Sequence, residues 1–129
     1  MRKFYILIVL GLVFCCVSCS KKETGSPAYH LITAEEAASM MEKEAEYIIV
    51  DVRRPDEYAE GHIPGAVNIP NEEIGSERPP ELPDTDRLLL VHCRTGIRSR
   101  QAAEKLVSLG YTRVYDFGGI LSWKGELER

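Results

Sequence analysis

Apolar residues fall along this chain in short blocks separated by polar and breaker residues, and the blocks alternate between two periodicities. Tyr29-His30-Leu31-Ile32 reads as a short strand. Thr33-Ala34-Glu35-Glu36 has the form of a capping box, in which a threonine side chain and a glutamate three residues on satisfy each other's backbone N–H groups. It predicts a helix with Ala37, Met40 and Met41 along one side. Tyr47-Ile48-Ile49-Val50 is a continuous β-rich run, the pattern of a strand covered on both faces in a parallel sheet. Pro55 opens a short helix through Tyr58 and Ala59, Gly61 and Gly65 mark turns, and Ala66-Val67-Asn68-Ile69 is a further short strand. Prolines at 79, 80 and 83 make Gly75 to Pro83 a loop. Arg87 to Val91 predicts a central strand. Ser99 to Leu109 predicts a helix whose Ala102, Ala103, Leu106 and Leu109 face the sheet, with Gly110 as its stop. Thr112-Arg113-Val114-Tyr115 is a last strand, and Ile120 to Leu127 a closing helix. Strands alternating with helices predict an α/β domain with a parallel sheet.

The N-terminal block differs. Arg2 and Lys3 precede an unbroken apolar run from Phe4 to Val17, the composition of an export signal, and the run is short for a membrane span of about 20 residues. Val17-Ser18-Cys19 followed by Ser20-Lys21-Lys22 resembles the lipobox of bacterial lipoproteins, with Cys16 where leucine is usual. Residues 1–18 are therefore expected to be a signal peptide, Cys19 a lipidated N-terminus, and 19–27 a polar tether. Residues 28–129 remain as one compact domain, expected to be monomeric, extracytoplasmic and held to a bacterial membrane through its lipid. Plain cleavage, with Cys15, Cys16 and Cys19 as apolar filler, is the alternative.

Charge narrows the partners. The chain carries a net charge of -4 and has no basic tract, which excludes the clustered cationic face that nucleic acid requires. Three histidines, scattered in the chain, and one cysteine in the body make no metal site, and no cofactor is expected.

That one cysteine is Cys93, in Val91-His92-Cys93-Arg94-Thr95-Gly96-Ile97-Arg98-Ser99-Arg100, between an apolar strand and a helix. Unpaired backbone N–H groups at a helix start favour thiolate over thiol. The three arginines from 94 to 100, with no acid among them, push the same way. Cys93 is thus a candidate nucleophile, against the ordinary reading of a free cysteine as an inert buried group. Arg94 is a candidate contact for an anionic ligand, against a solvated surface arginine. Arg98 is expected to pin the loop to a carboxylate such as Glu57 or Asp51, and Arg100 to be a charge on a helix face. His62 reads as a turn-fixing hydrogen-bonding residue more readily than as a general base. His92 points away from Cys93 if the strand alternates. Trp123 is expected to pack in the core or at its rim.

Three segments taken together resemble the rhodanese family. They are Asp51-Val52-Arg53 with Glu57-Tyr58, then Gly61-His62-Ile63-Pro64-Gly65-Ala66-Val67-Asn68-Ile69-Pro70, then Cys93 to Ser99; Phe117-Gly118-Gly119-Ile120 with Trp123 matches the closing segment. The resemblance implies a three-layer α/β/α sandwich on a five-stranded parallel sheet, with the cysteine loop at the carboxyl end of a central strand. It implies a thiosulfate sulfurtransferase in which Cys93 takes sulfane sulfur from thiosulfate or a similar anion as a persulfide and passes it to a thiol or cyanide. Arg94, Thr95, Gly96, Ile97, Arg98 and Ser99 would surround the donor, their backbone N–H groups forming an anion nest, with Asp51, Arg53 and Glu57 in support. Phosphatases of the same fold use a loop one residue longer, C-x5-R against C-x4-R here. A membrane-tethered binding module, or a persulfide carrier for a partner protein, is the other alternative.

Overall fold

The computed structural model describes residues 28–129. The expected signal peptide, the lipidation at Cys19 and the tether lie outside the described residues.

The strands are β1 (His30–Leu31), β2 (Tyr47–Asp51), β3 (Val67–Asn68), β4 (Leu88–Cys93) and β5 (Val114–Gly119); the helices are α1 (Ala34–Lys43), α2 (Pro55–Glu60) and α3 (Ile97–Ser108). The strands form one five-stranded sheet in the order β1-β5-β4-β2-β3, and every pairing is parallel. The expected α/β sandwich is the observed fold.

Local chemistry starts the elements where the pattern placed them. Thr33 accepts the Glu36 N–H at 3.1 Å and Glu36 accepts the Thr33 N–H at 2.7 Å, so the capping box opens α1. Pro55 begins α2 with its φ preset and no N–H to leave unpaired. Gly110, at φ +98°, ends α3.

Along β4 every residue is buried, and the side chains alternate between two cores. Leu89, Val91 and Cys93 pack with Ala102, Ala103 and Leu106 of α3. Leu88 and Leu90 pack on the other face with Ala34, Ala37, Ile63 and Phe117. A strand enclosed in this way cannot slip by one residue without exchanging its two faces, so packing fixes the height at which Cys93 emerges. The site therefore lies at the carboxyl end of the middle strand, where chain connections leave the sheet in opposite directions and open a crevice.

Strand β4 extends to Cys93 rather than ending at Val91, α3 begins at Ile97 rather than Ser99, and two larger departures from the expected elements follow. The closing helix from Ile120 to Leu127 is a single 3-10 turn, Ile120–Ser122. Beyond it Trp123 is extended, Gly125 lies against the indole, and Glu128 exchanges backbone hydrogen bonds with His62 at 2.8 and 2.9 Å. Tertiary pairing outweighs weak helix propensity there. The second is β5, which runs to Gly119 rather than stopping at Tyr115. Val91 pairs with Asp116 but Cys93 with Gly119, so β5 carries one extra residue. Gly118, at φ +82°, takes up that bulge, and its N–H is held by Asp116 Oδ1 at 2.9 Å.

Candidate active site

The bulge determines what can stand beside the cysteine loop. A side chain on Gly119 would collide with the carbonyl oxygen of Arg94 and come within 2.9 Å of Thr95 Cα. The backbone of β5 therefore lies directly against the backbone of the loop, and only glycine allows that approach. Sequence reading took Phe117-Gly118-Gly119 as a motif; the contact that requires Gly119 belongs to the fold.

Cys93 ends β4 and is completely buried. Its Sγ accepts the Gly96 N–H at 3.0 Å. Gly96 precedes α3 at φ +110°, a conformation in which other residues are strained, and this turn is what aims its N–H back at the sulfur. The helix thus presents the partial positive charge of its start to a thiol. Ser99 is buried, and its hydroxyl donates to the Gly96 carbonyl at 3.1 Å, so this side chain braces the turn rather than facing a ligand. Arg94, Thr95 and Ile97 are exposed.

Arg98 crosses from α3 to α2 and donates to Glu57 through both terminal nitrogens, at 2.6 and 3.1 Å. The pair is a fork held against a largely buried carboxylate. Hydrogen bonding from Arg98 brings the Glu57 carboxyl down to about 2 from 4.5, although burial opposes the shift. Hydrogen bonding to Glu57 in turn holds the guanidinium above its ordinary range, against the opposing effect of burial. Glu57, one of the carboxylates named for Arg98, is the partner.

Asp51 belongs to a separate cluster. It accepts the Arg53 backbone N–H at 3.0 Å and the Arg53 Nη2 at 2.7 Å, and Arg53 also donates to the Gly61 carbonyl at 2.7 Å. Asn68 bridges the Asp51 and Arg53 carbonyls at 3.0 and 2.9 Å. This network ties the end of β2 to the Gly61 turn and β3. Asn71 was not singled out from the sequence; it donates to Gln101 and accepts from Lys105, fixing the flank of α3.

His62 and His92 lie in structural settings. His62 is stacked on Tyr58 at 3.8 Å and its Nδ1 donates to the Tyr58 carbonyl at 2.9 Å. His92 is fully buried on the face opposite Cys93, tilted against Phe117, with Nδ1 donating to the Cys93 carbonyl at 3.2 Å. Burial pushes the His92 pKa down and outweighs the attraction of Asp51, whose Oδ2 is 3.7 Å from an Nε2 that has no hydrogen-bond partner. Among the described residues no group of histidine, cysteine and carboxylate side chains is placed to hold a metal ion.

An open groove adjoins the loop. Leu31, Thr95, Ile97, Arg100, Gln101 and Gly118 are among the residues that line it.

A buried sulfur that receives a helix-start N–H, followed by a four-residue loop ending in an arginine, is placed to stabilise negative charge on the sulfur. Known proteins share the fold and sequence around it. The Rhodanese-like domain profile matches residues 33–126. The thiosulfate sulfurtransferase PspE of Escherichia coli is 39% identical over 71 residues, covering 55% of this chain and 68% of its own. A sulfurtransferase of Allochromatium vinosum is 38% identical over 93 residues, covering 71% and 85%. Among solved structures, an E. coli rhodanese with anions superposes at a TM-score of 0.59 with 38% identity, covering 66% of this chain and 99% of that one. A rhodanese-like domain protein of Staphylococcus aureus superposes at 0.64 with 31% identity, covering 77% and 96%. With residues 33–126 matched by that profile and the parallel sheet superposing on these structures, the chain belongs to the Rhodanese-like domain family.

Proposed function

We propose that the chain is a sulfurtransferase that carries sulfane sulfur on Cys93. The observation that carries this reading is the Cys93 sulfur at the end of the central strand, receiving the Gly96 N–H at the start of α3. Relatives named as sulfurtransferases, and the E. coli rhodanese solved with anions, support an anionic donor; thiosulfate is the member of that class to test first. The Cys93 thiolate attacks the outer sulfur of thiosulfate. A new bond to Cys93 Sγ forms, the donor's sulfur–sulfur bond breaks, and sulfite leaves with the bonding pair. A thiol or cyanide then attacks the outer sulfur of the persulfide and returns Cys93 to thiolate.

Gly96 and the start of α3 favour negative charge on sulfur throughout. Arg94 meets the leaving sulfonate, Thr95 and Ile97 border the path to the sulfur, and Arg98 keeps the loop in register through Glu57. Because Cys93 has no exposed surface, the donor enters as the loop's rim moves aside, and water is excluded when it closes.

Incubation of the full chain with thiosulfate, followed by intact-mass measurement, is expected to show a gain of one sulfur atom. Cyanide should remove it, and Cys93→Ser should never acquire it. The complete burial of Cys93 favours a second reading, a binding module with an incidental thiol. A folded protein that gains no sulfur would establish that instead. Hydrolysis of an aryl phosphate without sulfur transfer would make the chain a phosphatase, against the shorter C-x4-R loop.

For residues 1–27 we propose export, lipidation of Cys19 and tethering to the outer side of a bacterial membrane. A labelled fatty acid is expected to enter the wild-type chain and not Cys19→Ala.

A further inference from the structure

The groove beside the cysteine loop has features that a small anion does not use. Leu31, on the edge strand β1, and Ile97, the first residue of α3, are 67% and 69% exposed and both line it. Thiosulfate and cyanide have no apolar surface to lay against these side chains, and exposed aliphatic groups gathered beside a site mark where a larger partner sits. Arg100 lines the same groove and enters no ion pair among the described residues. Asp116, the acid on the lining, is buried, and its Oδ1 holds the Gly118 N–H of the bulge. The charge offered to a ligand is therefore positive, although the chain as a whole carries -4. Gly96, whose N–H reaches the Cys93 sulfur, belongs to the same lining, so whatever fills the groove lies against the reactive loop. The outer edge of β1 is unpaired among the described residues and offers backbone hydrogen bonds to an extended segment.

Resting on the sulfurtransferase reading above, we propose that the acceptor is a cysteine of another protein, presented in an extended segment with an apolar and an acidic side chain beside the thiol. The apolar side chain lies between Leu31 and Ile97, and the carboxylate meets Arg100. The acceptor thiolate attacks the outer sulfur of the Cys93 persulfide. A sulfur–sulfur bond forms on the acceptor, the bond to Cys93 Sγ breaks, and Cys93 leaves as thiolate. The acceptor becomes the persulfide, and no further oxidant or reductant takes part.

The test loads the full chain with sulfur from thiosulfate and follows unloading by intact mass with three acceptors. They are cyanide, the capped peptide Glu-Leu-Cys-Gly-Ala and its counterpart Lys-Leu-Cys-Gly-Ala. The acidic peptide is expected to react about tenfold faster than the basic one, and Arg100→Glu to reverse that order. Leu31→Ser is expected to slow both peptides about fivefold. In Leu31→Ser transfer to cyanide should stay within about twofold of wild type, because neither the loop nor its charge is touched, and for Arg100→Glu the reading is the ratio of the two peptides, from which any change in Cys93 itself cancels. Equal rates for the two peptides, or a Leu31→Ser variant that slows cyanide as much as peptide, would overturn the groove while leaving the sulfurtransferase reading intact. A chain that never loads sulfur would remove both. Self-association in sedimentation that Leu31→Ser abolishes would assign the groove to a second copy and overturn the proposal.

Discussion

At Gly96 and Gly119 one missing methyl group decides the chemistry of the neighbouring cysteine. Gly96 holds φ at +110° so that its N–H turns toward Cys93 Sγ. Gly96→Ala is expected to cost about 1–2 kcal/mol, from the left-handed backbone alone. At Gly119 the obstacle is steric, since a Cβ would enter the backbone of Arg94 and Thr95. Gly119→Ala should displace the loop and lower thiosulfate:cyanide transfer about 100-fold, the scale on which displacements near 1 Å act. Steady-state transfer assays with denaturant midpoints will check both; a Gly119→Ala protein with wild-type transfer would remove the loop from the mechanism. Both glycines are visible in the sequence. The need for them is visible at Gly96, which stands at a helix start, and hidden at Gly119, whose neighbour lies more than twenty residues away in the chain.

Between elements, the Arg98–Glu57 fork straps α3 to α2 across the loop. Glu57→Gln keeps the shape and removes the charge, and is expected to cost about 1–3 kcal/mol and to lower transfer through a loosened loop rather than through lost donor contact. In a double-mutant cycle with Arg98→Gln the two losses should fall well short of additive; additive losses would show that the pair does not act as a unit. The sequence suggests a carboxylate partner for Arg98, with Glu57 and Asp51 as candidates. Choosing between them required the tertiary structure, since Asp51 is already occupied by Arg53 in the buried turn at the end of β2. Helix and strand positions were legible wherever a cap, a proline or a buried apolar run specified them, as in α1, α2 and β4. They were illegible at the C-terminus, where Ile120 to Leu127 carries a helix-like pattern but Glu128 pairs with His62.

For the whole molecule, stability should fall in two steps on acidification. Folded His92 has its pKa lowered by burial, so below the unfolded value of 6.5 the unfolded chain binds a proton that the folded chain refuses, and stability declines. Glu57 stays ionised in the fold to about 2, against 4.5 unfolded, so its contribution is complete above 4.5 and is lost as pH falls toward 2. Urea midpoints measured from about pH 8 to about pH 3 should show both declines, with His92→Asn removing the first and Glu57→Gln the second. A flat profile for wild type across this range would contradict both assignments. By itself the sequence determined the α/β class, the succession of strands and helices and the cysteine loop, because capping, apolar periodicity and turn chemistry act between residues close in the chain. Only the tertiary structure decided which strands adjoin, that Cys93 is wholly enclosed, that Gly119 supports its loop, and that Leu31 shares a groove with Ile97 and Arg100. Those relations arise where distant segments are packed at van der Waals distance, and no local pattern encodes such contacts.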